Sequence, residues 1–260
     1  MYHTRVLAGS PDREWVVFIH GFGGSSDTWK RQEEEYLKKY NLLLLDMHGN
    51  GHAVGGKLTV KGVCRCIAET MDYHHITRAH FVSISIGTMI ALAFAAEYGD
   101  RVLSLVMAGG ILRFNLRTNI LLLAARLLKN VIPYMWLYSF FAFIILPRKN
   151  HRKSREIFVR EAKKLGTLEF RRWVEFIPHI RKSGLAIKTL NAGKMPVPIL
   201  YIMGSEDHLF VSDTIRHAAR IRQAAVCIIP GCGHVCSIEK HNEFTEISLG
   251  FIRRADIIFH

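Results

Sequence analysis

Six short stretches of this chain are apolar almost without interruption: Trp15–Ile19, Asn41–Asp46, Ala79–Ile84, Arg101–Ala108, Pro198–Met203 and Ala225–Ile229. A strand with one wet face alternates apolar and polar residues, whereas Asn41-Leu-Leu-Leu-Leu-Asp46 has no polar side to turn outward. Such runs must be covered on both faces. Helix-length segments supply the cover: Leu58–Tyr73 before the third run, Thr88–Glu97 after it, and stretches near Ser212–Gln223 and Lys240–Arg254. This alternation predicts an α/β architecture, a doubly wound, mostly parallel sheet with helices on both sides. A chain of 260 residues is long enough for one such core, or for a core with a modest insertion.

The pattern breaks after the fourth run. Residues 111–190 carry long helical stretches and no convincing strand, so the expected organisation is a core of residues 1–110 and 191–260 split by a helical insertion. The charge is split the same way. Residues 1–110 carry 11 Lys and Arg against 11 Asp and Glu, and residues 191–260 carry seven against seven. The insertion carries 17 against four, and so holds the whole formal excess of +13. Its uncharged run, Val131–Leu146, is 16 residues long and falls short of the roughly 18–20 that span a bilayer. Basic residues from Arg148 to Arg155 follow it, then Lys163-Lys164, Arg171-Arg172 and Arg181-Lys182. The block suits an acidic protein partner, an anionic membrane surface or an anionic substrate head. Nucleic acid is not expected, because no recognisable binding module accompanies the charge.

In open α/β sheets the functional groups sit at the carboxyl ends of the strands. That position selects His20, Asp46, Ser85, Asp207 and the loop holding His234. Ser85 stands between an apolar run and a helical one in Ser83-Ile84-Ser85-Ile86-Gly87, close to the Gly-x-Ser-x-Gly of a nucleophile elbow, with Ser83 where glycine is usual. A serine hydroxyl needs a base to become nucleophilic, and the base needs an orienting acid. Gly231-Cys-Gly-His234 offers the base, and Gly204-Ser-Glu-Asp207 offers two acids, Glu206 and Asp207, with Asp213 nearby. An oxyanion needs two preorganised N–H donors. The expected donors are the amides of Ile86, at a helix start, and of Phe22 in His20-Gly-Phe-Gly-Gly24, with the Phe22 ring lining the acyl pocket.

Taken with Asp46-Met-His-Gly-Asn-Gly51, these motifs resemble the α/β-hydrolase superfamily, in its single-serine esterase branch, over nearly all the chain except the insertion. The resemblance implies a triad of Ser85, Asp207 and His234, leaves Asp46 structural, and makes the insertion a cap over the site. It implies no cofactor. Dehalogenases and epoxide hydrolases of this fold carry aspartate at the elbow, where this chain has Ser85. Hydrolysis of a small carboxylic ester with an apolar acyl or alkyl part is the expectation that follows. An acyl-thioester or carrier-protein-linked ester hydrolase docked by the basic cap is the alternative, and a non-catalytic binding or signalling module of the same fold a second one.

Three other patterns carry less. Cys232-Gly-His-Val-Cys236 has metal-like spacing, but no second cluster completes a tetrahedral site, so no metal is expected. His48-Gly-Asn-Gly-His52 lacks the Gly-Lys-Ser/Thr ending of a phosphate loop and reads as a turn. Five cysteines in two tight groups make no disulfide framework, and no apolar leader follows the N-terminus. Together these favour a cytoplasmic protein, membrane-peripheral if the basic block meets lipid.

Overall fold

The computed structural model describes residues 3–47, 53–54, 57–183 and 197–259; the His48–His52 motif lies outside them. Its strands are β1 (His3–Leu7), β2 (Trp15–Ile19), β3 (Asn41–Asp46), β4 (Ala53–Val54), β5 (Lys57–Leu58), β6 (Ala79–Ile84), β7 (Val102–Ala108), β8 (Ile199–Gly204) and β9 (Ala224–Ile229). Seven of them form one sheet in the order β1-β3-β2-β6-β7-β8-β9, while β4 and β5 pair with each other. Every neighbour in the large sheet is parallel except β1, which runs antiparallel to β3 from His3 opposite Asp46 to Leu7 opposite Leu42. The six apolar runs are its six parallel strands. The residues of β2 from Val16 onward and the four leucines of β3 are fully buried, as strands covered on both faces must be.

Helices flank the sheet: α1 (Lys30–Leu37), α2 (Val60–Tyr73) and α3 (Ile86–Glu97) precede β7, and α8 (Val211–Ala218), α9 (Cys236–Glu239) and α10 (His241–Phe259) follow β8. Between β7 and β8 come α4 (Leu116–Leu128), α5 (Tyr134–Ile145), α6 (Arg152–Ala162) and α7 (Gly166–Ser183). Helix α2 starts at Val60 rather than Leu58, because the Thr59 side chain accepts a hydrogen bond from the Gly62 N–H and caps it there. It ends at the His74-His75 pair, where His75 turns the chain with a φ of 56°.

Two elements leave no apolar run to find. Strand β1 is a half-exposed edge, and α1 is so rich in charge that only Gln32 and Tyr36 turn inward. Tyr36 earns its place by packing edge-on against Phe18 and donating its hydroxyl to Ser248 Oγ at 2.6 Å, which fastens α1 to α10.

Helix α3 lies close enough to the end of β2 that a Cβ on Gly87 would come within 2.5 Å of His20 O and 2.8 Å of Ile19 O. Both obstacles are backbone and cannot swing aside. Gly87→Ala is therefore expected to cost about 1–3 kcal/mol, the usual penalty of overpacking. Calorimetry should read this as a Tm lowered by several degrees; an unchanged Tm would mean that the helix can ride outward freely.

Candidate active site

Ser85 closes β6 and caps α3, and its backbone is held at φ 55° and ψ −125°. That conformation costs a non-glycine residue about 1–3 kcal/mol and persists only where its surroundings dictate it. They do so here. The Ser85 N–H donates to Ala108 O at 3.0 Å, and Ser85 O accepts from the Thr88 hydroxyl at 2.6 Å and the Thr88 N–H at 2.9 Å. A Cβ on Gly21 would lie 3.1 Å from the Cβ of Ser85, so the loop after β2 reaches the turn only because it carries glycine there. Ser83, at the position where glycine is usual, is fully buried and donates its hydroxyl to Val106 O at 3.2 Å. A small polar side chain is accommodated between strands at no cost in unpaired groups.

The loops after β8 and β9 bring the other polar groups to this turn. Ser85 Oγ lies 2.8 Å from His234 Nε2, and His234 Nδ1 lies 2.7 Å from Asp207 Oδ2. The partners assign the tautomer: Nδ1–H donates to the carboxylate, leaving Nε2 to accept from the hydroxyl. Asp207 and His234 are each only 1% exposed. The second oxygen of Asp207 accepts from the Phe210 N–H at 3.3 Å, and the Phe210 ring packs 5.0 Å from the imidazole. The two loops are themselves bonded, Glu206 N–H to Cys232 O at 2.8 Å and Ser205 N–H to Ile229 O at 2.9 Å.

Glu206, the other carboxylate of the pair, turns away. It accepts from Arg148 at 2.6 Å, Asn150 at 2.9 Å and His151 at 2.7 Å, all from the chain between α5 and α6. The bond from Asn150 and that from His151, with Arg148 alongside, hold its carboxyl below the usual carboxylate range. Asp213 sits on α8 facing Arg216. Of the three acids, Asp207 alone meets His234.

His20 and Asp46 brace the site rather than enter it. His20 is fully buried, with Nδ1 2.7 Å from Gly21 O and Nε2 accepting from the Met47 N–H at 2.9 Å. Asp46 accepts from the Ser26 N–H at 2.5 Å and the Ser26 hydroxyl at 3.1 Å. Ile86 is the first residue of α3, so its N–H has no carbonyl a turn behind it and points from the helix start. The Phe22 carbonyl accepts from the Tyr138 hydroxyl of α5 at 2.7 Å, which holds the Phe22–Gly23 peptide, next to the one that carries the Phe22 N–H. Burial, and then the nearby Glu161, push the Tyr138 hydroxyl well above its ordinary range, so it stays a donor.

Tyr138 and Gly109 had no sequence signal that named them. Tyr138 is one aromatic in an uncharged run. Gly109 ends β7 at φ 50°, and a Cβ there would fall on His234 O and sit 3.1 Å from Nδ1. Glycine at that strand end leaves room for the backbone and ring of His234 beside it.

Above Ser85 and His234 opens a narrow cavity of about 100 Å³. Phe22, Ile86 and Phe210 contribute from the sheet side, and most of the remaining lining comes from α4, α5 and α7. Phe22 is gripped by rings of that segment, 5.5 Å from Tyr138, 5.6 Å from Phe170 and 6.1 Å from Trp173. Among the described residues no aspartate, glutamate, lysine or arginine lines the wall. Cys232, Cys236 and the remaining cysteines are free thiols; Cys236 Sγ faces Ile202 O and both ring nitrogens of His234 are engaged as described, so that motif does not converge on a common point.

Several known proteins resemble the chain. Over 109 residues it is 32% identical to the 2-succinyl-6-hydroxy-2,4-cyclohexadiene-1-carboxylate synthase of Enterobacter sp. (strain 638), covering 41% of each chain, so the match spans well under half of that relative. MenH from S. aureus superposes with a TM-score of 0.83 over 98% of this chain and 100% of that one, at 16% identity. A thermophilic esterase from Thermogutta terrifontis superposes with a TM-score of 0.78 over 97% and 93%, at 18% identity. At such identities the superpositions speak for the fold alone. The family model for the alpha/beta hydrolase fold matches residues 14–241, and the chain belongs to that family.

Proposed function

We propose that the protein is a serine hydrolase that cleaves carboxylic esters with an apolar acyl or alkyl part through an acyl-enzyme. In this reading residues 1–110 and 191–260 are the catalytic core and 111–190 the cap. The observation that carries it is the hydrogen-bonded line Ser85–His234–Asp207 at the floor of an apolar cavity. Ser85 Oγ attacks the ester carbonyl carbon while His234 Nε2 takes the hydroxyl proton. The Phe22 and Ile86 N–H groups receive the oxyanion, and Asp207 stabilises the imidazolium without being protonated. Collapse breaks the C–O bond, and His234 returns the proton to the departing alkoxide. Water then repeats the sequence, giving its proton to His234, attacking the acyl carbon and releasing Ser85 with its hydroxyl restored.

The lining argues for the apolar substrate. A wall of leucine, isoleucine and phenylalanine rewards hydrocarbon at roughly 0.8 kcal/mol per buried CH₂. Among the described residues it offers no counter-charge to a carboxylate such as the one named in the Enterobacter relative.

Purified protein is expected to hydrolyse short p-nitrophenyl esters and to be labelled by a fluorophosphonate probe. Ser85→Ala should lower kcat by at least about 10³-fold and abolish labelling. Residual turnover near the wild-type rate would end this mechanism. The acid is tested separately. Asp207→Asn is expected to reduce kcat by about 10⁴-fold through loss of the correct imidazole tautomer, whereas Glu206→Gln should leave kcat within a few-fold; the reverse order would reassign the acid. Tyr138→Phe removes one donor to the Phe22 carbonyl, worth about 1 kcal/mol, and should lower kcat several-fold with KM little changed. A change confined to KM would place the hydroxyl in substrate binding.

A further inference from the structure

The apolar character of the inserted helices does not stop at the cavity wall. Helix α4 turns Leu121, Leu122 and Ala125 toward the cavity, yet Leu116, Ile120, Leu123 and Leu127 protrude from its opposite side at the spacing of one helical stripe. On α5, Trp136, Phe140 and Phe143 repeat that spacing, and Val131 stands exposed between the two helices. Among the described residues, nine of the fourteen large hydrophobic side chains that lie open to solvent fall between Leu116 and Phe143. Trp136 is 74% exposed and Phe140 63%. A concentration of this kind on a water-soluble surface marks a place where something docks. Two of these side chains, Leu128 and Phe140, also line the cavity, so the apolar surface runs without a break into the space above Ser85.

The charge around the stripe narrows the partner. Between Arg101 and Arg155 the chain contains no aspartate or glutamate. Arg113, Arg117 and Arg126 are exposed beside the stripe and form no ion pair among the described residues, and Lys149 and Lys153 are exposed further on. A second copy of the chain would set these cations against their own images. An acidic protein would satisfy the arginines, but it would have to supply a groove for two rows of protruding side chains as well. An anionic bilayer supplies both at once, hydrocarbon at depth and phosphate at the rim. Helices of 13 and 12 residues are too short to cross a bilayer but suit the plane of its interface.

We propose that the α4–α5 face seats on an anionic lipid surface, with the Leu116–Leu127 and Trp136–Phe143 stripes among the acyl chains and Arg113, Arg117 and Arg126 at the phosphates, so that apolar substrate enters from the lipid past Leu128 and Phe140. The seating does not depend on which bond is cleaved at Ser85; only the route of entry rests on the reading of the cavity as the substrate site.

The test uses full-length Ser85→Ala protein, so that binding is read without turnover, and vesicles of phosphatidylcholine with or without phosphatidylglycerol. The protein should sediment with the anionic vesicles, progressively less as salt is raised, and show a blue shift of tryptophan emission that Trp136→Leu removes. Each cation at the surface is worth roughly fivefold in partitioning, so combined Arg113→Gln, Arg117→Gln and Arg126→Gln should weaken binding by more than tenfold. Leu123→Glu with Trp136→Glu, placed in otherwise wild-type protein, should abolish sedimentation and leave turnover of a water-soluble short ester unchanged. Four results would overturn the proposal: no sedimentation with anionic vesicles, equal sedimentation with phosphatidylcholine alone, indifference to the paired glutamates, or a dimer that those glutamates dissociate. The first of these, joined to binding of an acidic carrier protein, would assign the face to that protein instead.

Discussion

The strained turn at Ser85 is the constraint to which the rest of the molecule answers. A φ of 55° is not a conformation that serine selects for itself. It is imposed because β6 is locked between β2 and β7 and α3 is pressed against the end of β2, leaving the chain one residue in which to reverse from strand to helix. The glycines follow from this. Gly21 and Gly87 stand where backbone must approach the turn, and Gly109 where the imidazole must pass beside it. Thr88 closes the arrangement by holding Ser85 O and, through the same oxygen, accepting from the Ile111 N–H at 3.0 Å. The turn that presents the hydroxyl is thereby tied to the first residues of the inserted segment.

Most of this was legible in the sequence because buried parallel strands advertise themselves. The six apolar runs matched the six parallel strands to within a residue or two, and the polar residues just past them supplied Ser85, Asp207 and His234, which the fold brings into hydrogen-bond contact. What stayed hidden was whatever had no run to announce it. Strand β1 lies at an edge and five of the eight residues of α1 are charged, so neither carries an apolar pattern strong enough to see. The choice between Glu206 and Asp207 could not come from adjacent carboxylates in one loop. It turns on the direction each side chain leaves the backbone, and on the Arg148, Asn150 and His151 cluster more than fifty residues away that holds Glu206. Tyr138 is the same case. Nothing distinguishes it within Val131–Leu146 until the fold sets its hydroxyl against Phe22 O.

The inserted segment is fastened to the core by polar contacts at the edges of an apolar interface. Lys164 bonds to Asp27 at 2.8 Å and, with Lys30, holds that carboxyl down to about 2. Tyr138 bonds to the loop after β2, and His151 lies between Glu206 and Glu239, whose carboxylate accepts from the Gly233 N–H at 3.1 Å. Burial pushes the Glu239 carboxyl upward, while that N–H and the neighbouring His151 oppose the shift. Packing of leucine on phenylalanine is non-directional and tolerates sliding. These bonds are not, and they fix where the helices stand over Ser85.

Their placement has a mechanical consequence. The bond from Tyr138 ends on Phe22 in the loop after β2, and the bonds from Arg148, Asn150 and His151 end on the residue next to Asp207. Gly233, held by Glu239, is next to His234. The helical segment therefore grips these loops at Phe22, at Glu206 and, through His151 and Glu239, at Gly233, beside Ser85, Asp207 and His234 rather than at them. Helices α5 and α6 cannot lift away as a rigid roof without breaking these bonds or dragging the loops with them. Helix α4 is joined to the loop of Asp207 at its first turn, where the Asn115 side chain donates to Leu209 O at 2.8 Å. At its C-terminal end α4 is tied to α7 instead, where the Lys129 ammonium pairs with Glu175 and the Lys129 carbonyl accepts from Arg171 Nε at 3.4 Å, so that Leu128 meets the solvent beside a fixed helix end.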